Sequence, residues 1–201
     1  MHYAHSITRI SVLALGIAGA LACGNAHAAA FQLKENSAKG LGRAFAGSTS
    51  AEGDASVVAT NPASMRLLDG RQFQADLAAI SFSAEFDKSS ARYNGAAGPG
   101  TGAEVGGGNG GDAGMIAPVP AAYFHVPFGE NDNMHFGLSL QVPFGFKTEY
   151  DSNWVGRYHG IKTDLKAIDL GASFSYDVNP YVSFGASVFV EHLTIELSSA
   201  I

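Results

Sequence analysis

The chain of 201 residues holds a single cysteine, Cys23, and a single tryptophan, Trp154. One cysteine excludes an internal disulfide, so an exported form must be held by packing and hydrogen bonding alone. Charge is also scarce. Asp, Glu, Lys and Arg make up 15% of the residues, against about 25% in ordinary soluble domains. The net charge is −6, which offers no basic face for a nucleic-acid partner. Long apolar runs are missing as well. The stretch Ile10–Ala22 is shorter than the about 20 residues a spanning helix requires. No later run reaches the roughly 18 that mark a membrane helix. A membrane-spanning role is therefore left to a closed barrel, the other structure that satisfies its backbone in lipid.

The N-terminus carries its own signature. Arg9 precedes the short apolar run, and Ala26-His27-Ala28 follows with the small-x-small spacing of a secretory cleavage site. Ala28-Ala29-Ala30 competes with it. Residues 1–28 are read as a signal peptide, and its removal leaves no cysteine. Ala20, three residues before Cys23, disfavours a lipid-anchored reading.

From residue 71 to 201 the pattern has period two. In Met134–Lys147 (MHFGLSLQVPFGFK) Phe136, Leu138, Leu140, Val142, Phe144 and Phe146 share one face, against polar or small residues on the other. Asp164–Tyr176, Tyr181–Val190 and Pro118–Phe128 alternate in the same way, and His125 and His135 fall on the polar side. Arg71–Phe86 begins with Phe73, Ala75, Leu77 and Ala79 on one face. It then changes phase to Ile80, Phe82, Ala84 and Phe86, which predicts a bulge near Ala79. The connections alternate too. Asp87–Ala117 and about 148–162 are long, while Gly129–Asn133 and Asp177–Pro180 are short and flanked by Phe128, Phe136, Tyr176 and Tyr181. Long loops at one end, short turns at the other and aromatics at the rim predict an all-β, transmembrane antiparallel barrel. The rival is a soluble β-sandwich, whose apolar face would be the covered one.

The stretch Gly40–Met65 (GLGRAFAGSTSAEGDASVVATNPASM) is rich in small residues. A dinucleotide fingerprint fails on Phe45 at its third glycine position, and the Gly-Lys-Ser/Thr of a phosphate loop is absent. Capping chemistry fits instead. Asn61-Pro62 suits a helix start, Asp69-Gly70 its end, Asp54 a second start, and Asn36 or Ser37 a third, with Gly47 closing it. Such short helices bury too little apolar surface to fold alone. His125 and His135 lack a third ligand for a metal site, and no nucleophile–base spacing or carboxylate pair stands out, so neither enzyme activity nor a cofactor is expected.

Ala29–Gly47 (AAFQLKENSAKGLGRAFAG), the triplet Asn61-Pro62-Ala63, residues 116–150 and residues 163–191 resemble the long-chain fatty acid and aromatic-hydrocarbon outer-membrane transporter (FadL) family over essentially the whole mature chain. The resemblance implies a monomeric Gram-negative outer-membrane barrel of about fourteen strands, within the range such barrels span. Residues 29–70 would be a plugging hatch, with Gly40, Gly42, Arg43, Asn61, Pro62 and Ala63 as its motif, and 71–201 the first five strands of an incomplete barrel. It implies uptake of a hydrophobic small molecule with lateral exit toward outer-membrane lipid, at a kinked third strand. That kink falls on Val142-Pro143-Phe144-Gly145, where Pro143 lacks an N–H and Gly145 tolerates a bend. Phe31 and Gln32 match positions near the internal site. Trp154 and Arg157 in the second long loop, with Lys147 and Lys166, are further ligand-path candidates, Arg157 as a partner for a carboxylate. The alternatives are a structural or adhesive barrel and a general porin.

Overall fold

In the computed structural model the chain divides into two units, Met1–Gln32 and Leu33–Ile201. Residues 32–50, 53–93 and 102–201 are described, and the fold is that of the second unit. Five strands form one antiparallel sheet in chain order. They are β1 (Gln72–Phe82), β2 (Met115–Phe128), β3 (Met134–Glu149), β4 (Lys162–Asn179) and β5 (Val182–Ser198). Most exceed the about 9–11 residues that cross a bilayer at a tilt, so they continue beyond it. The β2–β3 turn is short, entered at Gly129 with φ 86° and carrying Asn131 and Asp132 in the left-handed region, each at φ 55°. Among the described residues no helix is long and apolar enough to cross a membrane.

Burial separates the two faces of the sheet. On β2 the odd positions Val119, Ala121, Tyr123 and His125 are buried, while Ile116, Phe124 and Phe128 are exposed. Cross-strand partners share a face, so the register carries this distinction across the sheet. Phe73, Leu77, Leu170, Phe184 and Val188 stand on the open face, and Phe73 is 74% exposed. The covered face below the middle of the sheet is small and polar, with Ser139, Ser173 and Ser175 buried on it. A sandwich would cover the apolar face. Here the apolar face is the open one, which suits lipid.

The covered face is occupied by residues 33–70. They form α1 (Ala38–Gly42), α2 (Val57–Thr60) and a 3-10 helix, Pro62–Leu67. Val57, Val58, Met65 and Leu68 build a core with Ala121 and Tyr123 of β2. Close approach depends on glycine. A Cβ on Gly137 would lie 2.5 Å from Val58 Cγ1 and 3.0 Å from Met65 Sδ, and one on Gly185 would strike the Pro62–Ala63 backbone.

The capping pattern is only partly the expected one. Ser37 caps α1 by accepting from the Gly40 amide, but α1 ends at Arg43 rather than Gly47. Asp54 Oδ1 accepts from the Ser56 amide at 3.1 Å, one residue ahead of α2. Asn61 precedes the 3-10 helix without capping it. Its side-chain amide donates instead to Thr49 O at 2.9 Å and Ser64 Oγ at 2.7 Å.

Two phase assignments are corrected. The β1–β2 pairing runs from Gln72/His125 to Phe82/Met115 without a shift, so there is no bulge near Ala79. Ile80 and Phe82 simply lie on the covered face, opposite Ala117 and Met115. The change of phase records a change of surroundings along a regular strand. On β3 the reverse holds. Between Gln141/Asp169 and Phe144/Ala167, β3 advances three residues while β4 advances two. This extra residue is a bulge, and it turns Phe144 and Phe146 onto the covered face with Ala167 and Leu165, not onto the lipid face.

Candidate functional site

The β2–β3 ladder stops at Ala122/Leu140. Beyond it, Met115–Ala121 pairs with β1 alone and Phe144–Glu149 with β4 alone. The chemistry of this gap lies in its prolines. Pro118 and Pro120 fall in the unpartnered stretch of β2, and Pro143 lies in the β3 bulge. Each lacks the N–H a ladder needs. The walls meet again at the loop end, where the Glu149 amide donates to Ala113 O at 3.4 Å.

Residues 33–36 sit across this gap and hold both rims. The Leu33 amide donates to Pro143 O at 2.7 Å. Asn36 Nδ2 donates to Gln141 Oε1 at 2.8 Å, and Tyr123 Oη donates to Asn36 O at 2.7 Å. Leu33 Cδ1 lies 3.4 Å from where a Gly145 Cβ would stand. Sequence reading missed Leu33, Asn36, Tyr123 and Gln141. In the sequence, Pro143 as a missing donor and Gly145 as a bend-tolerant residue signalled a break.

Toward the loops, the covered face turns apolar. Ile80, Phe82, Met115, Phe144, Phe146 and Leu165 share it by register, as do Leu193 and Ile195 of β5. Phe82 and Phe146 stack with centroids 6.4 Å apart and planes 14° apart, although β2 lies between their strands. The lysines go the other way. Lys147 and Lys166 fall on the open face, paired with Glu149 at 3.1 Å and Asp164 at 3.3 Å. They lie on the face opposite Phe144 and Phe146.

The remaining candidates are distributed elsewhere. Phe31 lies outside the described residues, and Gln32 is exposed. Trp154 stacks on Tyr150 at 4.1 Å, meets Phe86 edge-on at 5.6 Å and donates Nε1–H to Gly160 O at 2.8 Å. Arg157 donates to Gly106 O at 2.7 Å, Trp154 O at 3.0 Å and Tyr158 Oη at 3.1 Å. Together these two side chains bind the β1–β2 loop to the β3–β4 loop, and no contact described for either reaches the gap.

Within residues 33–70 the expected motif divides. A Cβ on Gly40 would lie 2.9 Å from the Phe45 ring, whereas one on Gly42 meets nothing within 4 Å. Arg43 pairs with Asp54 at 3.3 Å. Asp54 is 1% exposed and gathers Ser37 Oγ, the Ser56 amide and Gln74 Nε2 of β1. Burial opposes its ionisation, but these hydrogen bonds outweigh burial and hold its carboxyl below the usual range. Gln74 also accepts from the Ala55 amide at 3.0 Å, so one β1 side chain fixes the segment from both its ends.

A sheet apolar on its open face and plugged on its polar one, with a break in its wall, is a section of an outer-membrane β-barrel. The chain belongs to the outer membrane protein transport protein family (OMPP1/FadL/TodX), whose model matches residues 19–201. It is 38% identical over 177 residues to outer membrane protein P1 of Haemophilus influenzae, covering 87% of this chain and 38% of that one. It is 34% identical over 175 residues to a long-chain fatty acid transport protein of Escherichia coli, covering 86% and 36%. The crystal structure of a Pseudomonas aeruginosa FadL homologue superposes with a TM-score of 0.66 at 33% identity, over 85% of this chain and 39% of that one. The chain thus spans under two fifths of the length of these relatives. The family is one of outer-membrane transporters of Gram-negative bacteria, not of enzymes.

Proposed function

We propose that the protein of which this chain forms the N-terminal part carries hydrophobic small molecules, long-chain fatty acids or hydrocarbons, across the outer membrane by passive uptake. The apolar upper surface around Phe82, Phe144 and Phe146 receives the ligand, and apolar burial at about 25 cal/mol per Å² drives its binding. Residues 33–70 act as a hatch. The gap between β2 and β3 is the lateral exit, and the ligand reaches lipid there without crossing the polar lower lumen.

The hydrogen bond from Leu33 to Pro143 O carries this reading. It joins residue 33 to the β3 rim of the gap, which supports a reading in which hatch movement and exit are one event. The test is uptake of a radiolabelled long-chain fatty acid or hydrocarbon by cells making the full-length protein. A bis-maleimide joining Cys residues placed at Leu33 and Gly145 should abolish uptake while saturable binding to cells persists. Undiminished uptake after cross-linking would overturn the lateral route. Ion conductance in planar bilayers without ligand binding would instead identify a porin.

A further inference from the structure

Two buried histidines play no part in that route. His125 is fully buried and His135 is 3% exposed. Their rings are nearly parallel, with planes 22° and centroids 5.3 Å apart. His125 Nδ1 lies 2.9 Å from Gly70 O, at the junction of the hatch segment with β1. His125 Nε2 lies 3.1 Å from His135 Nδ1, and His135 Nε2 lies 3.3 Å from Asp177 Oδ2. Asp177 Oδ1 accepts from Ser183 Oγ at 2.5 Å. The same Ser183 is reached by Arg66 Nη1 at 3.2 Å, while Arg66 Nη2 donates to Pro180 O at 2.7 Å. One chain of hydrogen bonds therefore runs from the end of the segment through β2 and β3 to β4 and β5.

Counting hydrogens decides its charge. Gly70 O and an ionised Asp177 only accept, so the three links between them need three hydrogens. Two neutral imidazoles supply two. The chain closes only by holding one more. The added hydrogen is written on a ring nitrogen, which leaves Asp177 the acceptor in both of its links, from His135 and from Ser183 Oγ. The charged groups joined to the chain are Asp177 from β4 and, through Ser183, Arg66 from the 3-10 helix. Gln72, opposite His125 on β1, is neutral.

We propose that His125, His135 and Asp177 form a buried proton-binding site that latches the end of the hatch to the barrel wall. It rests on the reading of residues 33–70 as a movable hatch. With the latch closed, three of the four ring nitrogens carry hydrogen. As pH rises and the extra hydrogen leaves, two acceptors face each other, and a link opens. Well below about pH 6.5 two freed, solvated imidazoles would each take a proton, one more than the closed chain holds. The latch is therefore tightest near neutrality and loosens on either side, by up to about tenfold in the opening equilibrium per pH unit.

The test is hydrogen exchange at Leu67–Gln72 in the full-length protein in detergent, corrected for intrinsic rates, across pH 5–9. Protection should peak near neutrality in the wild type. In Asp177→Asn the side-chain amide supplies the third hydrogen without a charge, so protection should persist at alkaline pH. Imidazole 15N shifts at neutral pH should show three protonated ring nitrogens. Alkaline loss that is the same in wild type and Asp177→Asn, or two protonated ring nitrogens at neutral pH, would overturn the proposal. Ligand uptake is not part of this readout, so failure of the transport reading would show separately, in the cross-linking experiment.

Discussion

The Leu33 amide donates to the carbonyl of Pro143 at 2.7 Å, across 110 residues of sequence. Pro143 lies at a break in the wall, and Leu33 belongs to the segment that fills it. The bulge, the missing β2–β3 ladder and the N-terminal segment are therefore one structure. Each can be perturbed separately.

Deleting Pro143 should straighten β3. The deletion leaves Val142 opposite Ile168 and keeps both flanking registers, Gln141/Asp169 and Phe144/Ala167. Every side chain then keeps its face, and only the extra residue is lost. Uptake by the full-length protein should fall at least tenfold while the Kd for ligand changes little. A parallel loss of binding and uptake would mean that the bulge shapes the chamber rather than the exit.

The inverted phase of β3 has a direct spectroscopic consequence. A fluorophore on a cysteine at 146 should be shielded from quenchers carried on lipid chains, and one at 138 should be quenched. The two are equally exposed at 45%, but Leu138 lies on the open face while Phe146 lies on the opposite face with Leu165. Equal quenching at both sites would restore the uninterrupted alternation that the sequence suggests.

Glycines where residues 33–70 meet the sheet should be intolerant, and a glycine away from that contact tolerant. Gly137→Val forces a side chain onto Val58 and Met65, and overpacking of this kind costs about 1–3 kcal/mol. Gly185→Val meets backbone at Pro62–Ala63 and should cost no less. Gly42→Ala meets nothing within 4 Å and should add about 0.5–1 kcal/mol through helix propensity. Protease sensitivity of residues 33–70 in the folded full-length protein would rank the three.

Acid should loosen the segment through Asp54. Its folded-state carboxyl is held below the ordinary aspartate value of about 3.9. The stability it contributes is therefore complete above that value and is lost as pH falls through the lower, folded one. Asp54→Ala should cost about 1–3 kcal/mol at neutral pH, since it removes the acceptor of Ser37 Oγ, the Ser56 amide and Gln74 Nε2. It should also remove the acid-dependent step in proteolysis of residues 33–70. A step of equal size in the variant would assign that pH dependence to another carboxylate.

Much of the fold was legible because period-two alternation is a local property of the chain. The strands, the two short turns and the long loops follow from it, and so does the polar side on which His125 and His135 lie. Pro143 and Gly145 could likewise be read as a weak point, because a missing N–H is visible in one residue. The face each residue occupies past the weak point could not. Ile80 and Phe82 look out of phase in sequence but sit on a regular strand. Phe144 and Phe146 look in phase but sit beyond a bulge. A phase is defined only against a neighbouring strand, and β2 and β4 decide it differently for β1 and β3. The contacts of Leu33, Asn36, Tyr123 and Gln141 are further from view, since they join residues 87 to 110 positions apart. The sequence alone determined that this chain makes amphipathic strands preceded by a segment too poor in apolar surface to fold by itself. Only the tertiary structure decided where that segment rests, because burial of its few apolar side chains and satisfaction of its buried carboxylate both depend on groups that the sheet supplies.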